Sequence, residues 1–157
     1  MQTYGTETTP RRGQIADVQS PTLSYMTDAA LPAGVFVCHG VGGQTCKVPT
    51  SAAEVLQSLG VVVWSASELP PTDTTTNDYP ADTVIPVLGQ GEVWAVCEEA
   101  MAVTDDVYVR RGAGGTYGAV RTDADSTATL LPNARVVLAS AGAGVVKLRI
   151  NLPGAAS

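Results

Sequence analysis

Cys38, His39 and Cys46 bring two thiols and the chain's single imidazole into one short stretch, a combination that elsewhere serves metal binding or nucleophilic catalysis. Neither use fits the spacing. Zinc takes four ligands, usually in pairs two to four residues apart, and adjacent residues such as Cys38 and His39 point to opposite faces of a strand. Thiol catalysis needs a base that converges on the nucleophile and a group that orients the base, and no carboxylate nearby in sequence fills that role. His39 is therefore expected to be a structural or turn residue. The close carboxylates are Asp105 with Asp106, Asp123 with Asp125, and Glu98 with Glu99. Asp123 and Asp125 have the alternate spacing of a calcium loop, but the remaining ligands and the closing glutamate are missing, so turn formation by the aspartates is expected. The glycine clusters at Gly40–Gly43 and Gly112–Gly115 are not followed by the Lys-Ser/Thr and helix of a phosphate-binding loop, and are read as hairpin turns. No catalytic, cofactor-binding or metal-ligating residue is assigned, and the chain is not expected to be an enzyme.

The composition agrees with a binding or assembly role. The 157 residues are 45% hydrophobic but 5% aromatic and 15% charged, with 16 Gly and 10 Pro, against about 25% charged in a typical soluble domain. A chain of this length forms one domain that buries roughly 70% of its unfolded surface, so a true core needs no disulfides. A surface rich in Thr, Ser, Ala and Val lacks long-range steering and is easily covered by a partner. The net charge of −6 and nine basic residues argue against a nucleic-acid partner, because that affinity comes from Lys and Arg neutralising phosphates. Arg11–Arg12 and Arg110–Arg111 are expected to be solvated or salt-bridging surface pairs. Three cysteines cannot all pair within one chain, which predicts reduced thiols in a cytosolic setting, with Cys38 and Cys97 packed as small hydrophobes. No apolar run is long enough to span a bilayer, and the opening MQTYGTETTPRRGQ lacks a signal-peptide core, so no membrane partner is expected.

The elements that position these residues are short strands. Residues 1–33 are rich in Thr, Ser, Pro and Gly and read as an extended N-terminal arm, with a short strand possible through Ile15 and Val18; residues 34–157 read as the β domain. Val35–Cys38 is a continuous apolar run, Thr45–Val48 alternates as a second strand, and Val61–Trp64 is a third. Ser51–Leu59 is the one helix candidate, with Ser51 and Glu54 at capping-box spacing and Gly60 as its stop. Glu68–Ala81 reads as a long loop that ends in the contact residues Asn77, Asp78 and Tyr79. Strands follow at Val84–Leu88, Glu92–Glu98, Val107–Arg110, Gly118–Arg121, Arg135–Ala139 and Val145–Leu152. The expected fold is all-β: a small β-barrel or jelly-roll-like sandwich with one short helix and an extended N-terminal arm.

The stretch AVTDDVYVRRGAGGTYGAVRTDAD and the closing ARVVLASAGAGVVKLRINLPG resemble the structural cement, or decoration, proteins of tailed bacteriophages, most clearly from Glu92 to Leu152. That resemblance implies a protein on the outer surface of the virion capsid that binds the major capsid protein as a dimer or trimer. It would bridge neighbouring subunits, stabilise the expanded icosahedral head, and be assembled in the bacterial host cytoplasm. Two other readings stay open. A carbohydrate-binding β-module of a phage or secreted protein would show exposed aromatic faces, whereas Trp64 and Trp94 sit in apolar strands and are expected in the core. An enzyme on a trimeric β-barrel would draw carboxylates from neighbouring subunits.

Overall fold

The computed structural model describes residues 12–16, 22–64 and 78–152. In chain order the elements are β1 (Thr22–Thr27), β2 (Leu31–Pro32), β3 (Phe36–His39), β4 (Thr45–Lys47), α1 (Ala52–Leu56), β5 (Gly60–Val62) and β6 (Asp78–Tyr79). There follow β7 (Val84–Leu88), β8 (Gln90–Cys97), β9 (Tyr108–Arg110), β10 (Val120–Arg121), β11 (Ala128–Leu130), β12 (Ala134–Leu138) and β13 (Gly144–Asn151). Five strands close a barrel in the order β1-β4-β3-β5-β7, and six form a second sheet in the order β11-β9-β10-β8-β13-β12. β2 and β6 make a separate two-stranded ribbon. The all-β expectation holds, and of its two forms the closed barrel is present.

The hydrophobic patterning follows from two cores. Val35, Val37, Cys46, Val62, Ile85 and Val87 belong to one buried cluster. Phe36, Val61 and Leu88 belong to a second, together with Val93, Ala95 and Cys97 of β8 and Val146, Leu148 and Ile150 of β13. Residues that alternate along β3 and β5 thus enter different cores, so these strands are apolar on both faces. β13 is covered on one face, and its sequence alternates accordingly, with Val146, Leu148 and Ile150 buried and Arg149 and Asn151 exposed.

The first part of the chain departs from the arm expected over residues 1–33. Thr22–Thr27 is a strand of the barrel, antiparallel to β7 from Thr22↔Leu88 to Met26↔Val84 and parallel to β4 at Met26↔Thr45. Closing the barrel satisfies the backbone of this polar, weakly patterned strand, which is why its side-chain sequence gave little sign of it. Gly13 donates its N–H to Trp94 O and accepts from Trp64 N, and Ile15 forms a bridge with Val93. A Cβ on Gly13 would lie 2.4 Å from Val62 O at a φ of +71°, so glycine is what lets the chain pass between barrel and sheet. Val18 lies outside the described residues.

The helix is shorter than expected. Ser51 caps it by accepting from Glu54 N, and it ends at Gln57 because Leu59 N bonds to Val37 O and draws the chain to the barrel. Gly60 is consequently the first residue of β5. Much of the Glu68–Ala81 loop lies outside the described residues, but Tyr79 is no contact residue: it is fully buried in the barrel cluster and donates its hydroxyl to Val63 O at 2.8 Å.

Candidate functional site

Arg110 closes β9, a strand whose Val109 faces the core, and its side chain is one of the largest fully buried in the molecule. A guanidinium remains charged in such a place only if its donors are met. Nε and Nη2 form a fork on Glu98, at 2.6 Å to Oε1 and 2.8 Å to Oε2. Nη1 donates to Thr127 Oγ1 at 2.5 Å and to Ala113 O at 3.2 Å, and Nη2 also reaches Asp125 Oδ2 at 3.2 Å. The Glu98 hydrogen bonds raise the Arg110 pKa above its ordinary value despite the opposing effect of burial.

Arg121, on the neighbouring strand β10, extends the network. Its Nη1 lies 3.1 Å from Glu98 Oε2 and 3.2 Å from Asp125 Oδ2, while its Nη2 lies 2.7 Å from Asp123 Oδ1. Glu99 accepts the N–H and hydroxyl of Thr122, each at 2.9 Å. The backbone hydrogen bond from Thr122 is the main reason its pKa lies below the usual carboxylate range. Gly115 completes the arrangement, since a Cβ there would lie 2.0 Å from Glu98 Oε1 and 2.7 Å from Arg110 Nε. The second glycine cluster is therefore the place where backbone closes over an ion pair.

Several expectations change here. Arg110 is salt-bridging but not a surface residue, and Arg111 bonds Thr129 Oγ1 at 2.8 Å. Asp123 and Asp125 hold two arginines in addition to shaping a turn, whereas Asp105 acts as a turn residue by accepting from Ala102 N at 2.7 Å. Arg11 lies outside the described residues. Arg12 lines an open cleft of about 570 Å³ beside the network, with Gly114, Thr116, Arg121 and Gly144 among the other walls.

The thiols and the imidazole do not converge. Cys38 is buried and donates to Lys47 O, Cys46 is in the barrel cluster, and exposed His39 meets the Tyr25 ring edge-on at 6.0 Å. Burial pushes the Cys38 thiol up to about 11 and that of Cys46 to about 12. Among the described residues no group of three or more His, Cys, Asp or Glu side chains is placed to hold a metal. Trp64 packs against the barrel core as a partly buried residue, and Trp94 is likewise intermediate in exposure.

The exposed surface has two other features. On the barrel, Met26 and Val84 face each other across β1 and β7 and are 41% and 51% exposed. On the sheet face opposite the core, Arg135, Arg149 and Glu92 stand in register across β12, β13 and β8. Glu92 pairs with both Arg149 and Lys147. The molecule is thus a closed barrel backed by a six-stranded sheet, with the buried Arg110 paired to Glu98.

The comparisons identify the class further. The model of the family described as "Structural cement protein (E217 gp24/Pam3 gp6)" matches residues 1–151. The chain belongs to this family of phage structural cement proteins and is a structural component of the phage capsid. No curated protein sequence matches it significantly. Among solved structures, a chain from the capsid of Myoviridae phage XM1 superposes with a TM-score of 0.69 at 18% identity, covering 90% of this chain and 89% of that one. The head fibre gp8.5 N base of bacteriophage phi29 gives 0.46 at 12% identity, covering 85% of this chain and 95% of that one.

Proposed function

We propose that this protein binds the outer surface of a tailed-phage icosahedral head as a dimer or trimer, bridging neighbouring major capsid protein subunits and stabilising the expanded shell. The observation that carries this reading is the cement-family match over residues 1–151. Its physical support is repetition: a shell offers one site many times, so modest contacts from each subunit of an oligomer combine into avidity. The low charge content of the chain suits a surface that is covered after assembly.

Residues 1–11 are assigned a supporting contact with the shell, the part of the expected arm that precedes the backbone bonds of Gly13. Co-sedimentation of the purified protein with undecorated phage heads tests both statements. Binding that saturates at a symmetric number of copies per head is expected, with lower occupancy after deletion of residues 1–11. A free oligomer that never associates with heads overturns the proposal, and unchanged occupancy of the deletion variant overturns the role of residues 1–11.

A further inference from the structure

We propose that the free edge of β12 accepts an extended, acidic segment of the shell protein as an added strand, a step that rests on the capsid reading above. β12 ends the six-stranded sheet, and the described residues place no strand beyond it. An edge strand presents a row of backbone N–H and C=O groups that pair with any extended chain of suitable side chains.

Charge selects the partner. Arg135 of β12 stands directly opposite Arg149 of β13, and like charges in that position repel. Arg149 and Lys147 share the single carboxylate of Glu92, and Arg135 has no carboxylate partner among the described residues. Three cations and one anion give this face an excess of +2, in a chain whose net charge is −6. An acidic segment laid along β12 would set a carboxylate beside Arg135, whose charge-assisted hydrogen bond offsets the repulsion from Arg149 one strand further in.

Apolar contacts are available as well. Leu138, at the end of the strand, is 51% exposed, and a groove of about 240 Å³ lined by Pro132, Asn133, Ala134, Arg135, Arg149 and Ile150 opens at the other end. A second copy of this chain is the poorer occupant, because joining two β12 edges would bring two cationic faces together. The register shift between Val136 and Leu138 limits the pairing to a few residues, so a short segment suffices.

The test uses the full chain with a capped hexapeptide alternating valine and glutamate, and the same peptide with lysine in place of glutamate. Slowed amide exchange in residues 134–138 is expected with the glutamate peptide alone. Arg135→Glu should weaken that binding at least about ten-fold, while Arg135→Lys stays near the wild type. Arg135→Glu should also lower occupancy on undecorated heads. No slowing at millimolar peptide, or equal slowing by the lysine peptide, overturns the acidic strand addition. Peptide binding that depends on Arg135, with head occupancy that does not, overturns the shell as its source. A change in the free oligomer on Arg135→Glu, without a change in peptide binding, would make the edge an interface between copies and overturn the proposal. If wild-type protein ignores the heads, the capsid reading fails and the shell goes with it as the source, while the peptide still decides whether the edge takes an acidic strand.

Discussion

Arg110 and Glu98 meet as a two-pronged ion pair, at 2.6 and 2.8 Å, with the arginine side chain 2% exposed and the glutamate 15%. Arg110 ends β9 and Glu98 directly follows β8, with β10 lying between those two strands, so the pair reaches across one strand and ties three together. Arg121 on that middle strand shares Glu98, which makes the carboxylate the common anchor of two guanidiniums.

Removing Arg110 takes from Glu98 its two shortest bonds and leaves it only the 3.1 Å contact with Arg121. Arg110→Met should destabilise the fold by about 3 kcal/mol, the lower end for a broken buried pair, because Arg121 still compensates part of the carboxylate charge. Glu98→Gln leaves two arginines facing an amide and should fall in the same direction. Urea denaturation of the single and double variants checks this, with a double variant milder than the sum of its parts as the expected signature. Arg110→Met at wild-type stability would contradict the account.

Glycine at position 115 is required by the ion pair itself. Gly115→Ala should cost about 1–3 kcal/mol, since its Cβ must displace the Glu98 carboxylate or the Arg110 guanidinium. Gly142→Ala is the matched comparison, because nothing lies within 4 Å of a Cβ there, and a change within about 0.5 kcal/mol is expected. Thermal melting of the two variants should separate them clearly; equal melting temperatures would remove the steric argument.

How much of this was legible in sequence depended on which force set each element. Strands that bury β-branched residues announced themselves, and β7 lies at Val84–Leu88 as read. β1 did not, because TLSYMT is held by ladder bonds on both edges, and its polar side chains carry little hydrophobic pattern. Tyr79 read as a loop-end contact for a related reason: its burial is set by partners distant in sequence, Leu31 across the two-stranded ribbon and the Val63 carbonyl that accepts its hydroxyl. The ion network was partly readable, since an arginine ending VYVR with glycines and RTDAD downstream is unusual for a plain hairpin. What sequence could not show was that Glu98, just past the end of β8, is the group on which both arginines converge.

Acid should loosen the α1 end of the barrel as Glu54 is protonated. Glu54 accepts from Lys47 Nζ at 2.6 Å and from Thr50 N at 2.6 Å, and the Lys47 bond above all lowers its pKa from 4.5 to about 2. A carboxyl whose folded pKa is depressed contributes stability that is complete above its unfolded pKa and lost as pH falls through the folded value. The contribution should therefore fade between about pH 4.5 and about pH 2. Lys47→Met should raise the Glu54 pKa and flatten stability over that interval. An NMR titration of Glu54 in both proteins measures it, and a carboxyl titrating near 4.5 in the wild type would refute the assignment.

The three thiols give the last prediction, because their chemistry is set by packing. Cys38, Cys46 and Cys97 are all free and buried, and burial raises Cys38 to about 11 and Cys46 to about 12. The thiolate is the reactive form, so at pH 8 both supply a negligible fraction of nucleophile even where reagent reaches them. Cys38 and Cys46 also cannot join: Cys38 stands opposite Lys47 and His39 opposite Cys46, which places the two sulfurs on opposite faces of the β3–β4 pair. Native protein in a disulfide-exchange thiol assay should release almost no signal within minutes, and unfolded protein should release three equivalents. A native burst of one equivalent or more would mean that a thiol is reached without unfolding; its loss in Cys97→Ser would place it at the end of β8 beside the open cleft, and its persistence would mean that the β3–β4 pair opens on the time scale of the assay.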